Sequence, residues 1–348
     1  MFDEVYDLNN LYDAFRLSQK ESYWKCSCQQ YEYNLLRNII NTKDRLKAGT
    51  YEQKPFYEFD IQERGRKRHI KSLHISDRVV QRSFSDNTLV PAVTPYLIYD
   101  NGASLKNKGV SFARKRISIH LQKYYKQYGR DGYVLQIDFK KFFDSIPHSQ
   151  LKDEFSSLLD EKEKILFDKL IDSFGGDIGL GIGSQISQVC GIYYPTPIDT
   201  YFKVVKSCKF YGRYMDDTYI IHPDKNFLEE LLDEYKGLVS ALGLNLSAKK
   251  THITKLSHGF TFLKIKYNIL ENGRILKRLS RDMITRERRK LKKYYKLWNK
   301  KRLSLRMIDQ AYKSWRGTYK YFDSHKSIRE MDKLYNNLFG GIYYEDEI

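Results

Sequence analysis

Two carboxylates stand side by side in Tyr214-Met215-Asp216-Asp217, with the β-forming run Lys209 to Arg213 before them and Thr218 to Ile221 after. The pattern predicts two strands sharing a tight acidic turn. Adjacent carboxylates at a hairpin tip repel each other, so folding gains nothing from placing them there. A hard divalent cation offsets that repulsion, and Mg²⁺ prefers carboxylate oxygen. An ordinary Asp-Asp turn is the competing reading, because Asp favours turns. A third acid tips the balance. Asp138 closes the apolar run Tyr133-Val134-Leu135-Gln136-Ile137, 78 residues before Asp216. An acid at the end of a central strand can face a hairpin turn on a neighbouring strand. Three carboxylates so placed would hold two Mg²⁺ (or Mn²⁺) about 3.5–4 Å apart, the arrangement that serves in-line displacement at phosphorus. Asp144, six residues beyond Asp138, reads instead as a surface turn or a helix cap before Ile146-Pro147.

The surrounding pattern predicts how these acids are carried. Residues 1–50 read mostly as helix, with Tyr6, Leu11, Tyr12 and Phe15 at helical spacing and a second run from Tyr31 to Leu46. Short alternating pieces from Tyr57 to Leu73 flank Arg64-Gly65-Arg66-Lys67-Arg68, a hairpin with a basic tip. Ser76 is the expected N-cap of the next helix. Residues 91–110 read as loop, 111–128 as helix, and 149–174 as helix again up to Gly175-Gly176. A glycine turn (Gly179, Gly181, Gly183) leads into an expected helix over Gln185–Lys206. A helix at 226–242, a strand pair at 252–269 and a basic helical tail at 280–340 complete an α+β pattern with a palm-like layer.

Composition narrows the partners. With 61 Lys+Arg against 43 Asp+Glu the formal net charge is +18, which points to a polyanion, most simply nucleic acid. Apolar residues at 41% exclude intrinsic disorder. No stretch reaches the ~20 apolar residues of a membrane helix, and the N-terminus lacks the pattern of a secretion signal. Cys26, Cys28, Cys190 and Cys208 do not stand at zinc-ligand spacing and suit a reducing compartment, so a cytoplasmic protein with no membrane partner is expected. Between Arg274 and Arg302 there are 14 Lys/Arg and two acids, Asp282 and Glu287, interleaved with Tyr294, Tyr295, Leu297 and Trp298. That spacing predicts a basic amphipathic helix able to track a phosphate backbone.

In this order the motifs resemble those of the reverse transcriptases, from Tyr57 to about residue 270, in the group II intron-like bacterial lineage. The resemblance implies a right-hand polymerase. Residues 1–55 would be an N-terminal helical extension and 56–130 the fingers, with 149–178 returning to fingers and palm helices. The palm would span 131–270, and a basic helical thumb 271–348. It makes Asp138, Asp216 and Asp217 the catalytic and metal-binding acids, with Phe139 lending a backbone carbonyl. One ion would activate a primer 3′-hydroxyl while the other bridges the triphosphate. Phe143 corresponds to the gate that clashes with a ribose 2′-hydroxyl; a core phenylalanine is the plainer reading of that position. Arg64, Arg66, Lys67, Arg68 and Lys71 resemble the triphosphate clamp, with Arg68 matching best and Arg66 beside it. Lys250 matches a lysine that protonates the leaving pyrophosphate, and reads equally as a solvated lysine. Phe262-Leu263-Lys264-Ile265 resembles the primer-grip turn, with Lys264 where glycine is usual.

Gly181-Ile182-Gly183-Ser184-Gln185-Ile186-Ser187-Gln188 resembles the second palm motif, with Ile182 in place of glutamine and Gln188 in place of proline. That form resembles the enzymes of diversity-generating retroelements and of phage defence, and loss of a polar contact at Ile182 implies relaxed fidelity. The implied activity is extension of a primer with dNTPs on an RNA template, giving cDNA, in a bacterial or prophage-encoded anti-phage system. The alternatives are a diversity-generating context, or a polymerase of this fold that makes RNA or works without a template. No Val-Thr-Gly occurs in the thumb region, and the chain lacks room for maturase and endonuclease parts. A dedicated non-coding RNA is the expected template, and residues 1–55 are a candidate surface for RNA, a protein partner or a second copy.

Overall fold

Asp7 starts the first long helix. After a short turn α1 (Phe2–Val5), its carboxylate accepts the backbone N–H groups of Asn9 and Asn10 at 2.9 and 3.1 Å, the N-cap of α2 (Leu8–Gln19). α3 (Cys26–Tyr33) and α4 (Leu35–Lys47) follow, so the helical expectation for the N-terminal region holds. The computed structural model describes residues 2–20, 22–63 and 66–340, with Glu63 and Arg66 described as backbone only. β1 (Tyr57–Glu63) and β2 (Arg66–Ser72) form the expected antiparallel hairpin, in register from Tyr57↔Ser72 to Glu63↔Arg66. The tip residues Arg64 and Gly65 and the side chain of Arg66 lie outside the described residues.

α5 (Ile75–Phe84) begins one residue before the expected cap. His74 is the N-cap, its Nδ1 accepting the Ser76 N–H at 3.2 Å. The loop expected from residue 91 is helical as far as Tyr96. A π-helical turn (Ser85–Leu89), α6 (Val90–Val93) and a 3₁₀ turn (Thr94–Tyr96) continue α5. Pro91 and Pro95 stand at the starts of α6 and of the 3₁₀ turn, where the helical hydrogen-bond pattern changes.

α7 (Val110–Tyr128) leads to β3 (Tyr133–Asp138). Then comes the short α8 (Phe142–Ser145), and α9 (His148–Ser156) and α10 (Glu161–Asp172) occupy the stretch expected as one helix over 149–174. The break has a cause: Asp160 and Glu163 form a reciprocal capping box that starts α10 afresh. The helix expected over Gln185–Lys206 is likewise divided. α11 (Gln185–Tyr193) stops before Pro195, and α12 (Thr196–Thr200) and a π turn (Tyr201–Val205) follow.

β4 (Tyr211–Tyr214) and β5 (Asp217–His222) make the acidic hairpin; α13 (Lys225–Ala241) and β6 (His252–Lys255) follow. The four-stranded sheet has the order β4-β5-β3-β6, so the strand ending in Asp138 neighbours the strand beginning with Asp217. A separate three-stranded sheet joins β7 (Phe260–Phe262), β8 (Ile265–Ile269) and β9 (Ile275–Leu279). β9 corrects the sequence reading, which began the basic helix at Arg274. Ile275 and Leu279 are buried and pair with Ile269 and Ile265, and sheet burial overrides the surrounding charge. The helix itself, α14 (Arg281–Asn299), starts after Ser280, and α15 (Leu305–Tyr319) and α16 (His325–Phe339) complete the described chain.

The chain divides into two compact units. The first comprises Met1–Ala113, Gln136–Ile220 and Asn226–His252, and the second Arg114–Leu135, Ile221–Lys225 and Ile253–Ile348. In the second unit Leu291, Ile308, Tyr312, Met331, Tyr335 and Phe339 form a core in which Tyr312 and Tyr335 stack at 4.6 Å. The exposed face of α14 carries Arg281, Arg286, Arg289, Lys292, Lys293 and Lys296, while Met283, Glu287 and Leu291 face inward. Among the described residues no helix is long and apolar enough to cross a membrane.

Candidate active site

Tyr214 pairs with Asp217 at the end of the β4–β5 ladder, leaving Met215 and Asp216 as a two-residue turn. Met215 sits at φ +54°, the left-handed conformation that such a turn requires and that a side chain makes costly. The Phe139 N–H donates to the Asp216 carbonyl at 3.4 Å, which ties the end of β3 to this turn. From the other side, residues 245–247 run along the same strand end. Lys140 N–H donates to the Asn245 carbonyl and Ser247 N–H to the Asp138 carbonyl, each at 2.8 Å. The expectation that three distant acids meet at one place is therefore a matter of backbone pairing.

Asp138 is 4% exposed, and Lys250 Nζ lies 2.5 Å from its Oδ2. Burial, reinforced by the charges of Asp216 and Asp138, pushes Asp217 up to about 7; Lys250 opposes the shift, and a hydrogen bond with Asp138 favours the protonated form. Asp216 is raised as well, first by burial and then by the charge of Asp138, with Lys250 and Arg68 pulling the other way. Asp216 and Asp217, whose ionisation is opposed by burial and by the charge of Asp138, form with it a hard-oxygen donor set that gains from a divalent cation. Among the described residues, no group of three or more His, Cys, Asp or Glu side chains is arranged to hold a metal ion. Asp138 is engaged with Lys250 instead, so an ammonium now supplies part of the compensation that a metal would supply.

Beneath the acidic turn lies a buried ion pair that sequence reasoning missed. Arg213 and Asp199 both have side chains at 0% exposure, 2.6 Å apart at their closest. Arg213 also donates to the carbonyls of Ile192 at 2.7 Å, Met215 at 3.2 Å and Gly191 at 3.4 Å, while Tyr211 OH donates to Asp199 Oδ1 at 2.6 Å. One guanidinium thus holds the strained turn to α11. A signal was present: an arginine inside an otherwise apolar strand, three residues before Asp216, can be buried only if it is paired.

Phe143 is half-buried in α8, 5.2 Å from the ring of Phe142. A side-chain carbon at Gly191 would come 2.9 Å from the Phe143 ring, so this glycine makes room for it. Phe139 is buried and stacks on Phe142 at 5.1 Å. Asp144 is exposed in α8, away from the strand end, as expected. Gly183 (φ +108°) lies against β2, its Cβ position 3.8 Å from the Lys71 carbonyl; Ile182 beside it is half-buried. Behind them Ser184 Oγ donates to Gln81 Oε1 at 2.7 Å, and Gln81 Nε2 to Gln53 Oε1 at 2.7 Å, fixing the glycine turn to α5.

Of the expected clamp cations, Lys67 pairs with Asp60 at 2.8 Å and Lys71 donates to the Phe174 carbonyl. Arg68 is the one whose charge acts on Asp216. In the second unit, Leu263 and Lys264 form the β7–β8 turn with φ of +45° and +70°, and Arg114 Nη2 donates to the Leu263 carbonyl at 2.7 Å. Lys264 therefore adopts the conformation for which glycine is usual.

Compared with known families, residues 53–267 match the family described as reverse transcriptase (RNA-dependent DNA polymerase), a span of more than half the chain. That span contains every residue of the site just described. A comparison with curated individual proteins returns no match.

Proposed function

Because the chain belongs to the reverse transcriptase family and is a nucleotidyltransferase acting as an RNA-directed DNA polymerase, we propose that Asp138, Asp216 and Asp217 are its catalytic acids. The observation that carries this reading is the backbone stitch between Phe139 and Asp216, which brings the two halves of the acid set together. Reverse transcriptase domains use divalent ions, typically Mg²⁺. When bound, two such ions supply a lowered pKa for the primer hydroxyl and charge neutralisation on the triphosphate. Asp138, Asp216, Asp217 and the Phe139 carbonyl would hold them.

The chain's own residues do the rest. Release of Lys250 from Asp138 frees an ammonium next to the acids, where it can give a proton to departing pyrophosphate. Arg68 meets phosphate oxygens with its guanidinium fork, and the Arg66 side chain is its proposed companion. Phe143, braced by Phe142 and Gly191, lies under the sugar and excludes a 2′-hydroxyl. Ile182 and Gly183 support the nucleotide and its templating base. The α14 face and the β1–β2 hairpin support a thumb and fingers assignment. RNA template, DNA product and dNTPs follow from the family. The Ile182 and Gln188 forms of the second motif fit a bacterial defence context and a diversity-generating one alike; the defence reading is the one proposed, with a dedicated RNA as template, and sequencing the cDNA carried by purified protein tests it.

The mechanistic test is extension of a DNA primer on an RNA template with dNTPs and Mg²⁺. Asp216→Asn and Asp138→Asn are each expected to lose activity by about 10²–10³, equivalent to several kcal/mol of charge stabilisation, while primer–template binding persists. Extension at the wild-type rate by either variant would overturn the assignment. Extension with rNTPs at least as fast as with dNTPs would favour an RNA-making enzyme.

A further inference from the structure

Two adjoining grooves in the first unit lie outside the carboxylate site. The larger, about 580 Å³, runs between the 22–28 segment and the base of the β1–β2 hairpin, and its lining includes Trp24, Lys25, Lys54, Tyr57 and Arg78. The smaller, about 340 Å³, shares Ser27, Lys54 and His74 with it and continues past Asn38, Asn41, Thr42 and Arg45. Among the described lining residues neither groove has an Asp or Glu. None of Lys25, Lys54, Arg45 and Arg78 is ion-paired with a carboxylate among the described residues, whereas Lys67 and Lys206 elsewhere sit 2.8 and 2.7 Å from one. Lys54 instead points at His74 Nδ1, 3.5 Å away, an atom that also accepts the Ser76 N–H. One buried acid, Asp77, is 2% exposed and bonded to Tyr51 OH beneath the surface; the Lys54 charge and backbone N–H act on it without an ion pair forming. Trp24 and Tyr57 are 66% and 74% exposed, and Lys25 Nζ lies 5.6 Å from the Trp24 ring centre.

Arg78 also donates to the Leu73 carbonyl and the Ser72 hydroxyl, and Arg45 lies over the Tyr51 ring. Cations along a groove that form no ion pair with a carboxylate can track a phosphate backbone, and exposed ring faces accept unstacked bases, which only a single strand offers. The run of hydroxyl and amide side chains in the smaller groove suits 2′-hydroxyls and base edges. We propose that this double groove binds a single-stranded segment of RNA, with Lys25, Lys54, Arg45 and Arg78 on phosphates and Trp24 and Tyr57 stacking on bases. The proposal deepens the polymerase reading, on which it rests for RNA being the strand held.

The test uses the full chain and a mixed-sequence RNA of about 12 nucleotides, within the usual span of such tracks. Binding is expected to quench tryptophan fluorescence, and Trp24→Phe to remove that quench. Lys25→Gln/Lys54→Gln should weaken binding about tenfold and reduce the log–log salt slope by about 1.4, the value for two single-strand phosphate contacts. Both variants should extend a pre-annealed primer–template at the wild-type rate. Unchanged RNA affinity in the double variant, equal affinity for DNA of the same sequence, or displacement by oligoglutamate at matched charge would each overturn the proposal. If wild type binds this RNA yet extends no primer, the polymerase reading fails and the groove stands.

Discussion

Phe143 and Gly191 illustrate how one side chain depends on the absence of another. The Phe143 ring occupies space that a Cβ at residue 191 would enter at 2.9 Å, in an interior where such overlap forces a shift. If Phe143 is the sugar gate, Phe143→Val should admit rNTPs, lowering dNTP preference by roughly 10–200-fold, the range that a steric pocket contact provides. Gly191→Ala should also change the dNTP/rNTP ratio by displacing the ring. Combined with Phe143→Val it should add little, because both act on the same wall. Competition assays with paired dNTP and rNTP read all three variants; full additivity would show that the glycine acts elsewhere.

At the scale of elements, the β4–β5 hairpin is held by Arg213 and Asp199. Breaking a buried pair from one side leaves a charge without compensation, so Arg213→Met should destabilise the fold by about 3–5 kcal/mol in urea titration. Arg213→Met/Asp199→Leu should recover much of that stability. The hairpin would still lack its ties to the Met215, Gly191 and Ile192 carbonyls. The Mg²⁺ concentration for half-maximal extension should therefore rise in the double variant while the KM for dNTP changes little. A double variant with wild-type Mg²⁺ dependence would reduce the pair to a stability role.

Helix α14 carries a different electrostatic load. Glu287 is 5% exposed and its pKa is raised, chiefly by burial and against the pull of Lys290. A raised carboxyl pKa means that the folded state binds the proton more tightly than the unfolded chain. Stability is then greatest below the unfolded value and falls as pH rises through the folded one. Glu287→Gln should accordingly raise Tm at pH 8 and leave it nearly unchanged at pH 4. An equal gain at both would mean that packing, not ionisation, is responsible.

For the whole molecule, the net charge of +18 resolves into separate addresses. One is the exposed face of α14, with its row of arginines and lysines, and another is the β1–β2 hairpin. Primer–template affinity should fall with salt at a log–log slope steeper than about −3.6, the value for four neutralised duplex phosphates. A flat response, measured by anisotropy across a salt series, would return the charge to a role in solubility.

Much of this was legible in the sequence because it is local. Strand periodicity placed Asp138 at a strand end, turn chemistry placed Asp216 and Asp217 at a hairpin, and motif order pointed to the family. Boundaries failed where neighbours overruled the local pattern: β9, read as helix for its charge, became a strand through pairing with β8. Pro195 and the Asp160 capping box split helices that periodicity alone had joined. What only the tertiary structure decided are the long-range partnerships: Arg213 with Asp199, Lys250 with Asp138, Gly191 with Phe143, and the cationic groove shared by the 22–28 segment and residues 54 and 78. Periodicity and turn preference are properties of a few consecutive residues, whereas an ion pair or a cleared space depends on which distant segments the fold brings within a few ångströms.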